Sequence, residues 1–523
     1  MAESGPFFNS FQEIWLNINI LPGDQQTAGT ILLTALSAFI SSTSDRYDMN
    51  KLSKNYLMTG GYQLLNILIM LIITPYLTRT LGSQSLGIDA YVLSIVQICQ
   101  IMGSLGSTVY ANREIAYVRT DKNRLTCVFW ELFILRILLG SIVTVFYLVI
   151  AFHSAYKAVF LIQLITLLSY YLDVSWLYIG TEDVAPLTLC SAVVRLCTTP
   201  LIFLFVKTPA HLNLYVAIYA MTLALICGIL LFGARKRVGR LPFGQLNLGR
   251  HLKPVIALFL PQAASSLYVM FDKTMLGLLA SDFSRVSIYE KPELIVKAPT
   301  VLAMALTTVT MPRIAFCHAR GRKEDIRDLV RSSLELVFLL FIPISAGVAI
   351  VAPIFIPAYL GPAYMDSVRV VWILAPIILA IAMTNVSGSQ FLTGCNETGY
   401  LSLSYLVSAA FNIVGNFFLI PHLDEIGASF TTLGAEWLVV LIQFSAMYRI
   451  LGRIGIRQIA FKKLIAGAVM SAAILPLPKL LGSTLPVMLL QIAAGAVVYF
   501  IALVIMKDSG LYHRLNMLRN REG

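Results

Sequence analysis

Charged residues are scarce in this sequence: they make up 13% of its 523 residues, whereas apolar residues make up 58%. A soluble domain carries about 25% charged residues, so this chain lacks the material for an ordinary hydrated surface. Its mean hydropathy of +0.78 agrees. Because lipid offers the backbone no hydrogen-bond partners, only helices and closed barrels cross a membrane. Apolar runs of about 20 residues without alternation predict helices rather than barrel strands.

Signatures of catalysis, metal binding and nucleotide use are also missing. The seven cysteines are scattered without a CxxC pair, and the six histidines form no HxxxH pair, which argues against disulfide and metal roles. No GxxxxGK[ST] motif provides for ATP-driven transport. The loops between apolar runs are short, which leaves no room for a catalytic domain outside the membrane. We therefore expect a protein that is not an enzyme and has no cofactor.

The apolar runs predict an all-α integral membrane protein with about fourteen transmembrane helices. The predicted spans are 55–77, 86–108, 126–152, 156–178, 185–206, 211–233, 254–279, 286–312, 332–356, 368–392, 400–420, 426–448, 463–481 and 485–506. Residues 1–48 contain only a 13-residue apolar run, 28–40, which is too short to span and has no basic residue before it. We expect these residues to be an extension upstream of a natural start at Met49.

Basic residues fall mainly on one side of these spans. Twenty-eight lysines and arginines lie in alternate loops and at the two ends, six lie on the other side, and five lie inside spans. Short cytoplasmic loops are enriched in lysine and arginine, so both termini are predicted to be cytoplasmic. The net charge of +12 has the same origin, and we expect no nucleic-acid partner.

An internal similarity predicts two lobes. Segment 111–137 follows the second span and segment 310–337 follows the eighth, and both place an arginine at the membrane exit before a basic amphipathic loop and a glutamate-bearing span. A repeat of six spans predicts an N-lobe at 49–234 and a C-lobe at 235–450, with the substrate between them. Residues 451–523 would then hold spans 13 and 14 and a cytoplasmic tail.

Two spans carry polar stripes. The first span presents Asn55, Thr59, Gln63, Asn66 and Thr74. The eleventh presents Ser404, Ser408, Asn412 and Asn416 at steps of four. Side chains at these steps share one helix face. A polar face avoids lipid, so each stripe faces either a neighbouring helix, through hydrogen bonds, or a water-filled cavity. The cavity interpretation makes Asn55, Gln63, Asn66, Asn412 and Asn416 candidate substrate contacts.

Ionisable residues within spans are the other candidates, because each costs about 2.5–3.5 kcal/mol at the bilayer centre on insertion scales. Arg136, Arg195 and Lys297 lie near mid-depth and suggest a cavity that receives an anion. Arginine suits phosphate because its planar guanidinium donates two parallel hydrogen bonds. The structural alternative is that Arg136 and Arg195 are neutralised by Glu131 or Asp173.

Acidic residues inside spans are candidates for coupling transport to an ion gradient. They are Asp173, Asp272, Glu293 and Glu436. Glu293 and Lys297 are four residues apart in the favourable order for an ion pair along one helix.

Several short motifs resemble those of the Wzx-like polysaccharide transporters of the multidrug/oligosaccharidyl-lipid/polysaccharide exporter superfamily. They are PYLTRTLG at Pro75–Gly82, LGIDAY at Leu86–Tyr91, NREIA at Asn112–Ala116 and MPR at Met311–Arg313. The resemblance covers roughly residues 50–450. It implies translocation of undecaprenyl-diphosphate-linked glycans from the inner to the outer leaflet by alternating access. The motifs include Arg79 and Arg113, for which no substrate contact is implied.

The same resemblance implies two six-helix lobes around a cationic cavity, extra C-terminal helices in some members, and coupling to a proton or sodium gradient. The expected setting is the bacterial cytoplasmic membrane. The expected partners are membrane lipid, the polyprenyl-diphosphate-linked glycan, a polysaccharide polymerase and glycosyltransferases. Two alternatives share the superfamily: a lipid II flippase, and a multidrug antiporter, whose cavity should hold acidic midplane residues. A membrane glycosyltransferase or polymerase would need a large outer loop, which the sequence lacks.

Overall fold

The computed structural model describes residues 51–241, 244, 246–508 and 510, with the side chains of 51–57, 257–258 and 260–269 excepted. Every regular element within those residues is helical, which confirms the predicted all-α class. The extension predicted at 1–48 lies outside them. The described residues from Met58 onward form one compact unit.

The helices follow one another with short connections. In chain order they are α1 Lys51–Thr80, α2 Gly82–Ser104, α3 Ser107–Val118, α4 Lys122–His153, α5 Lys157–Leu172, α6 Ser175–Gly180, α7 Ala185–Phe205, α8 Leu212–Ala234, α9 Gly249–Leu279, α10 Ser284–Lys297, α11 Val301–Ala319, α12 Lys323–Leu360, α13 Ser367–Leu374, α14 Ile377–Thr384, α15 Thr398–Leu451, α16 Ile456–Ile474, α17 Leu477–Leu481 and α18 Leu485–Ile505. Short 3₁₀ turns precede α8, α11 and α13, and a π-helix, Asn385–Leu392, follows α14.

Helix lengths agree with the predicted number of spans. Within the described residues, twelve helical segments are long and apolar enough to cross a membrane. One of them, α15, has 54 residues and is broken at Asp424, whose φ of 48° and ψ of −129° are not helical. Its arms, 398–423 and 425–451, correspond to the predicted eleventh and twelfth spans. Helix α9, with 31 residues, corresponds to the seventh. Most residues of all fourteen predicted runs are therefore helical.

The predicted boundaries are wrong at the second span. Helix α2 ends at Ser104 rather than at residue 108, because Leu105 and Gly106 adopt positive φ values of 44° and 79° and stop the α-helix. The basic segment that follows was expected to be a loop, but most of it forms the short helix α3. The fourth span is also interrupted, since Asp173 has extended backbone between α5 and α6.

Buried apolar side chains form separate clusters rather than one core. The largest gathers side chains of α9–α16, from Leu276 to Ala460, together with Ala90. Two others gather side chains from α2 to α9. A smaller one joins α12, α16 and α18, so the last two predicted spans pack against α12. Between the large clusters the helices leave room for cavities.

Candidate substrate cavity

A cavity of about 450 Å³ lies among α1, α2, α7, α8 and α10. Its walls carry apolar, hydroxyl, amide and charged side chains. The polar residues that line it are Asn66, Thr74, Asp89, Arg195, Thr198, Thr199, Tyr215, Tyr219, Thr222, Glu290 and Lys291. Because α10 follows the predicted lobe boundary at residue 235, this cavity, called here the large cavity, lies where the first six spans meet the eighth.

The large cavity is lined by two carboxylates and two cations, so its formal net charge is zero, but not all of the four form ion pairs. Lys291 Nζ donates to Glu290 Oε2 at 2.6 Å. Asp89 Oδ1 accepts a hydrogen bond from Gln163 Nε2 at 3.1 Å. Arg195 has no carboxylate within 4.0 Å among the described residues, and its buried Nε has no hydrogen-bond partner there. The buried Oδ1 of Asn66, on the facing helix α1, has none either.

A second cavity of about 270 Å³, called here the small cavity, adjoins the first. Arg195 and Leu223 line both. Its polar lining consists of Tyr62, Gln100, Thr166, Ser169, Tyr170, Asp173 and Ser191 in addition to Arg195. The two carboxylate oxygens of Asp173 accept hydrogen bonds from the backbone N–H of Ser175 at 3.1 Å and from its hydroxyl at 2.6 Å. The expected neutralisation of Arg195 by Asp173 is therefore not a direct ion pair.

Arg136 does not line either cavity. Its side chain is only 2% exposed, and its guanidinium lies over the ring of Tyr170 at 4.6 Å from the centroid. Nη2 donates to the carbonyl oxygen of Tyr170 at 2.7 Å, and Nη1 lies 3.4 Å from Thr108 Oγ1. Glu131, which was considered as its partner, instead accepts from Arg250 at 2.5 Å and from the backbone of Asn247 at 2.6 Å. Arg136 therefore braces α4 against the end of α5.

Lys297, the third predicted cation, lies in an ion-pair cluster. Its Nζ donates to Glu293 Oε1 at 2.6 Å, as the four-residue spacing predicted. Lys273 Nζ lies 3.6 Å from the other oxygen of Glu293 and 3.8 Å from Glu290. Glu436 is buried, and its charge acts on Lys297. Lys297 does not line the large or the small cavity.

Asp272 forms the centre of a buried network, and its side chain is 1% exposed. Its oxygens accept from Asn416 Nδ2 at 2.6 Å, Thr432 Oγ1 at 2.8 Å and Tyr289 OH at 3.0 Å. Asn416 also donates to Asn412 Oδ1 at 3.2 Å. The polar stripe of the eleventh span is thus buried against α9 and the second arm of α15. It forms helix–helix hydrogen bonds and does not line either cavity.

The stripe of the first span lies differently. Asn66 and Thr74 line the large cavity, whereas Gln63 is exposed and lines neither cavity. Asn55 lies in α1, among residues whose side chains are outside the described part. The motif residue Arg79 donates to the backbone oxygen of Ala358 on α12.

Sequence reasoning missed Asp89, Tyr215 and Tyr219 as cavity residues. Asp89 lies within the LGIDAY motif, where its position as an acidic residue inside a span was the available signal. The two tyrosines lie four residues apart on α8, which would have placed them on one face. Glu290 and Lys291 were recognisable as ionisable residues of the eighth span, but their depth alone did not place them at a cavity.

One end of the helix bundle is closed around these cavities. Gly87 on α2 packs against the connection between α9 and α10 so closely that a Cβ atom there would lie 1.8 Å from the carbonyl oxygen of Phe283. The backbone N–H of Ser284 donates to Gln84 Oε1 at 3.1 Å. At the same end Tyr359 OH donates to the carbonyl oxygen of Leu71 at 2.8 Å.

Comparisons with other proteins agree with this architecture. Residues 52–318 match the family described as polysaccharide biosynthesis protein. A putative O-antigen transporter of Escherichia coli K12 is 26% identical over 398 residues, which are 75% of this chain and 95% of that protein. A putative O-antigen transporter of Shigella dysenteriae is 23% identical over 401 residues, which are 76% of this chain and 100% of that protein.

Two solved structures share the fold. The lipid II flippase MurJ in an inward closed conformation superposes with a TM-score of 0.62 and 14% identity, over 89% of this chain and 99% of that one. An inward-facing multidrug resistance transporter of the MATE family superposes with a TM-score of 0.56 and 15% identity, over 74% of this chain and 94% of that one.

Proposed function

The chain belongs to the polysaccharide biosynthesis protein family of multi-pass membrane transporters, and from that membership and its cavities we propose that it is a flippase for undecaprenyl-diphosphate-linked oligosaccharides. The glycan units it moves across the bacterial cytoplasmic membrane would serve a surface polysaccharide, which is capsule, exopolysaccharide or O-antigen. The similarity to two putative O-antigen transporters along nearly their whole lengths supports this substrate class.

The observation that carries the proposal is the unpaired Arg195 in the large cavity. An unpaired charge within a span is costly, so a functional reason for keeping it is expected. A diphosphate is a suitable partner, because guanidinium groups donate paired hydrogen bonds to phosphate oxygens. Lys291 on α10 adds a second cation, and the tyrosine and threonine hydroxyls of α7 and α8 can donate further hydrogen bonds to phosphate oxygens.

The proposed mechanism depends on the predicted division of the chain into two lobes. The lobes are residues 49–234 and 235–450, and residues 451–523 are appended to them. The large cavity is lined mainly by the first lobe and by α10 of the second. Separation of α2 from the connection at Phe283 would open the closed end, and the substrate would then reach the other leaflet. Alternating access of this kind moves the two lobes about a fixed binding site.

Asp272 is the best placed of the predicted coupling residues. Its three close hydrogen-bond donors are neutral groups, and it is buried. Glu293 is already paired with Lys297. Asp173 is also held by neutral donors, those of Ser175, but it is only partly buried. A carboxylate held by neutral donors can take up a proton or a sodium ion without first breaking a salt bridge. We propose that Asp272 couples transport to such a gradient.

The proposal also places the protein in a pathway. Glycosyltransferases on the cytoplasmic face would build its substrate, and a polysaccharide polymerase on the other face would consume its product. Both termini would be cytoplasmic, as the loop charges predict.

A test of the substrate class uses deletion strains. Expression of this chain should restore surface polysaccharide to a strain that lacks its O-antigen flippase and should clear the lipid-linked oligosaccharide that accumulates on the inner leaflet. The control is the Arg195→Met variant at equal expression. Rescue of a strain depleted of its lipid II flippase, without any rescue of O-antigen export, would contradict the proposal.

A further inference from the structure

The large and small cavities are stacked along the helix axes. On α7 the small cavity is lined by Leu187 and Ser191, and the large one by the residues from Thr198 to Ile202, with Arg195 shared between them. Helix α8 runs in the opposite direction to α7. Its residues before Leu223 line the large cavity, its residues after Leu223 line the small one, and Leu223 lines both. On α1 and α2 the same division holds, since Tyr62 and Gln100 line the small cavity while Asn66 and Asp89 line the large one. Arg195 is therefore at the boundary of two compartments.

The small cavity differs chemically from the large one. Its lining contains one carboxylate, Asp173, and no cation besides Arg195. Thr166 lines it and is only 2% exposed, and its buried hydroxyl has no hydrogen-bond partner among the described residues. Buried hydroxyls are normally hydrogen-bonded, so an unpartnered one that lines a polar cavity indicates a site for a polar ligand.

From this arrangement we propose that the small cavity binds the sugar ring attached directly to the diphosphate, while Arg195 holds the diphosphate at the boundary. This inference rests on the proposed function and specifies which part of the substrate each compartment takes. Asp173 would repel a phosphate but can accept hydrogen bonds from sugar hydroxyls, and Thr166 and Ser191 can exchange hydrogen bonds with them. The volume of about 270 Å³ equals that of about nine water molecules, which suits one ring rather than an oligosaccharide.

One wall of the small cavity is braced from behind. The ring of Tyr170 lines the cavity, and the guanidinium of Arg136 lies 4.6 Å from its centroid and also binds its carbonyl oxygen. A rigid aromatic wall can pack against the apolar face of a sugar ring at little cost in conformational entropy. Arg136 thus stabilises this wall of the small cavity.

The test measures binding of two probes to the full-length protein in lipid nanodiscs. The probes are undecaprenyl diphosphate and undecaprenyl diphosphate carrying the first sugar of the host strain. Wild-type protein should bind the sugar-bearing probe more tightly. Thr166→Val and Ser191→Ala should each weaken that probe about 2- to 10-fold, the usual effect of one lost hydrogen bond, and leave the bare diphosphate unchanged.

Thr188→Val is the matched control, because Thr188 is similarly buried on α7, bonds its own helix backbone and lines neither cavity. Ser191→Leu, which fills the small cavity, should abolish the preference for the sugar while leaving thermal stability close to wild type. Equal loss of both probes in the Thr166 and Ser191 variants, or no preference in the wild type, would overturn the inference. If wild-type protein bound neither probe, the proposed function itself would fail.

Discussion

The two mid-span arginines Arg136 and Arg195 should respond in opposite ways to the same substitution. Substitution by methionine removes the charge of either arginine and keeps most of the length of the side chain and its apolar part. Arg195 has no ion pair among the described residues and faces two cavities, whereas Arg136 is buried and bonded to Tyr170. Arg195→Met should therefore impair transport, and Arg136→Met should impair folding.

The magnitudes follow from these contacts. A charge-assisted contact to a diphosphate contributes about 1.5–3 kcal/mol, so Arg195→Met should weaken substrate binding about 10- to 150-fold. The same change removes an unpaired charge from a span, so thermal stability should be unchanged or higher. Arg136→Met removes the charged donor of the Tyr170 carbonyl, which keeps only the 3.3 Å bond from the backbone N–H of Asp173, and loses the contact with the ring. Together these losses should cost about 2–4 kcal/mol of stability.

The assay combines export of polysaccharide in a flippase-deletion strain with thermal stability of the purified variants in detergent. Arg195→Lys is the third variant, and it should restore export only in part, because an ammonium group cannot make the paired contact. Full export by a well-expressed Arg195→Met variant would refute the reasoning. A loss of stability in Arg195→Met equal to that in Arg136→Met would show instead that Arg195 is structural.

Three further predictions concern orientation, closure and coupling. Cysteines placed at Arg237, Arg322 and Arg457 should react only with membrane-permeant thiol reagents, and labelling from outside by an impermeant one would contradict the predicted topology. Gly87→Ala should push α2 from Phe283, destabilise the closed end by about 1–3 kcal/mol and shift the ratio of closed to open protein about 5- to 150-fold. Spin-label distances across that end would measure the shift, and an unchanged distribution would argue against a moving contact there. Asp272→Asn should preserve substrate binding but abolish the response of transport to an imposed proton or sodium gradient, and a retained response would exclude Asp272 as the coupling residue.

Hydropathy alone was sufficient to predict the all-α fold class, because each span must by itself be long and apolar enough to cross the bilayer. Most residues of all fourteen predicted runs are helical, and the break at Asp424 falls between two of the runs. The interruptions inside spans were not predictable from run length. Leu105–Gly106 leave the helical conformation within the glycine- and serine-rich stretch 103–108, and Asp173 does so between apolar residues.

The candidate site was predictable only in part, because periodicity gives the face of a helix but not its neighbour. Of the predicted substrate contacts, Arg195 and Asn66 line the large cavity. Lys297 satisfies the local rule of four-residue spacing and pairs with Glu293. Asn416 is just as periodic, yet it binds Asp272, which is 144 residues away in the chain. A contact of that kind depends on how the helices pack against one another, which the periodicity of a single sequence does not predict.

The charge balance of the large cavity also fits a transporter better than the cationic cavity that the family resemblance implied. A site with several free cations would add about 1.5–3 kcal/mol of affinity for each contact and would release a diphosphate slowly. Of the two described cations that line this cavity, Arg195 forms no ion pair, while Lys291 is held by Glu290. The substrate must therefore compete with Glu290 for its second cation. Any movement of α10 that strengthens the Glu290–Lys291 pair weakens substrate binding, so release can follow directly from the change in conformation.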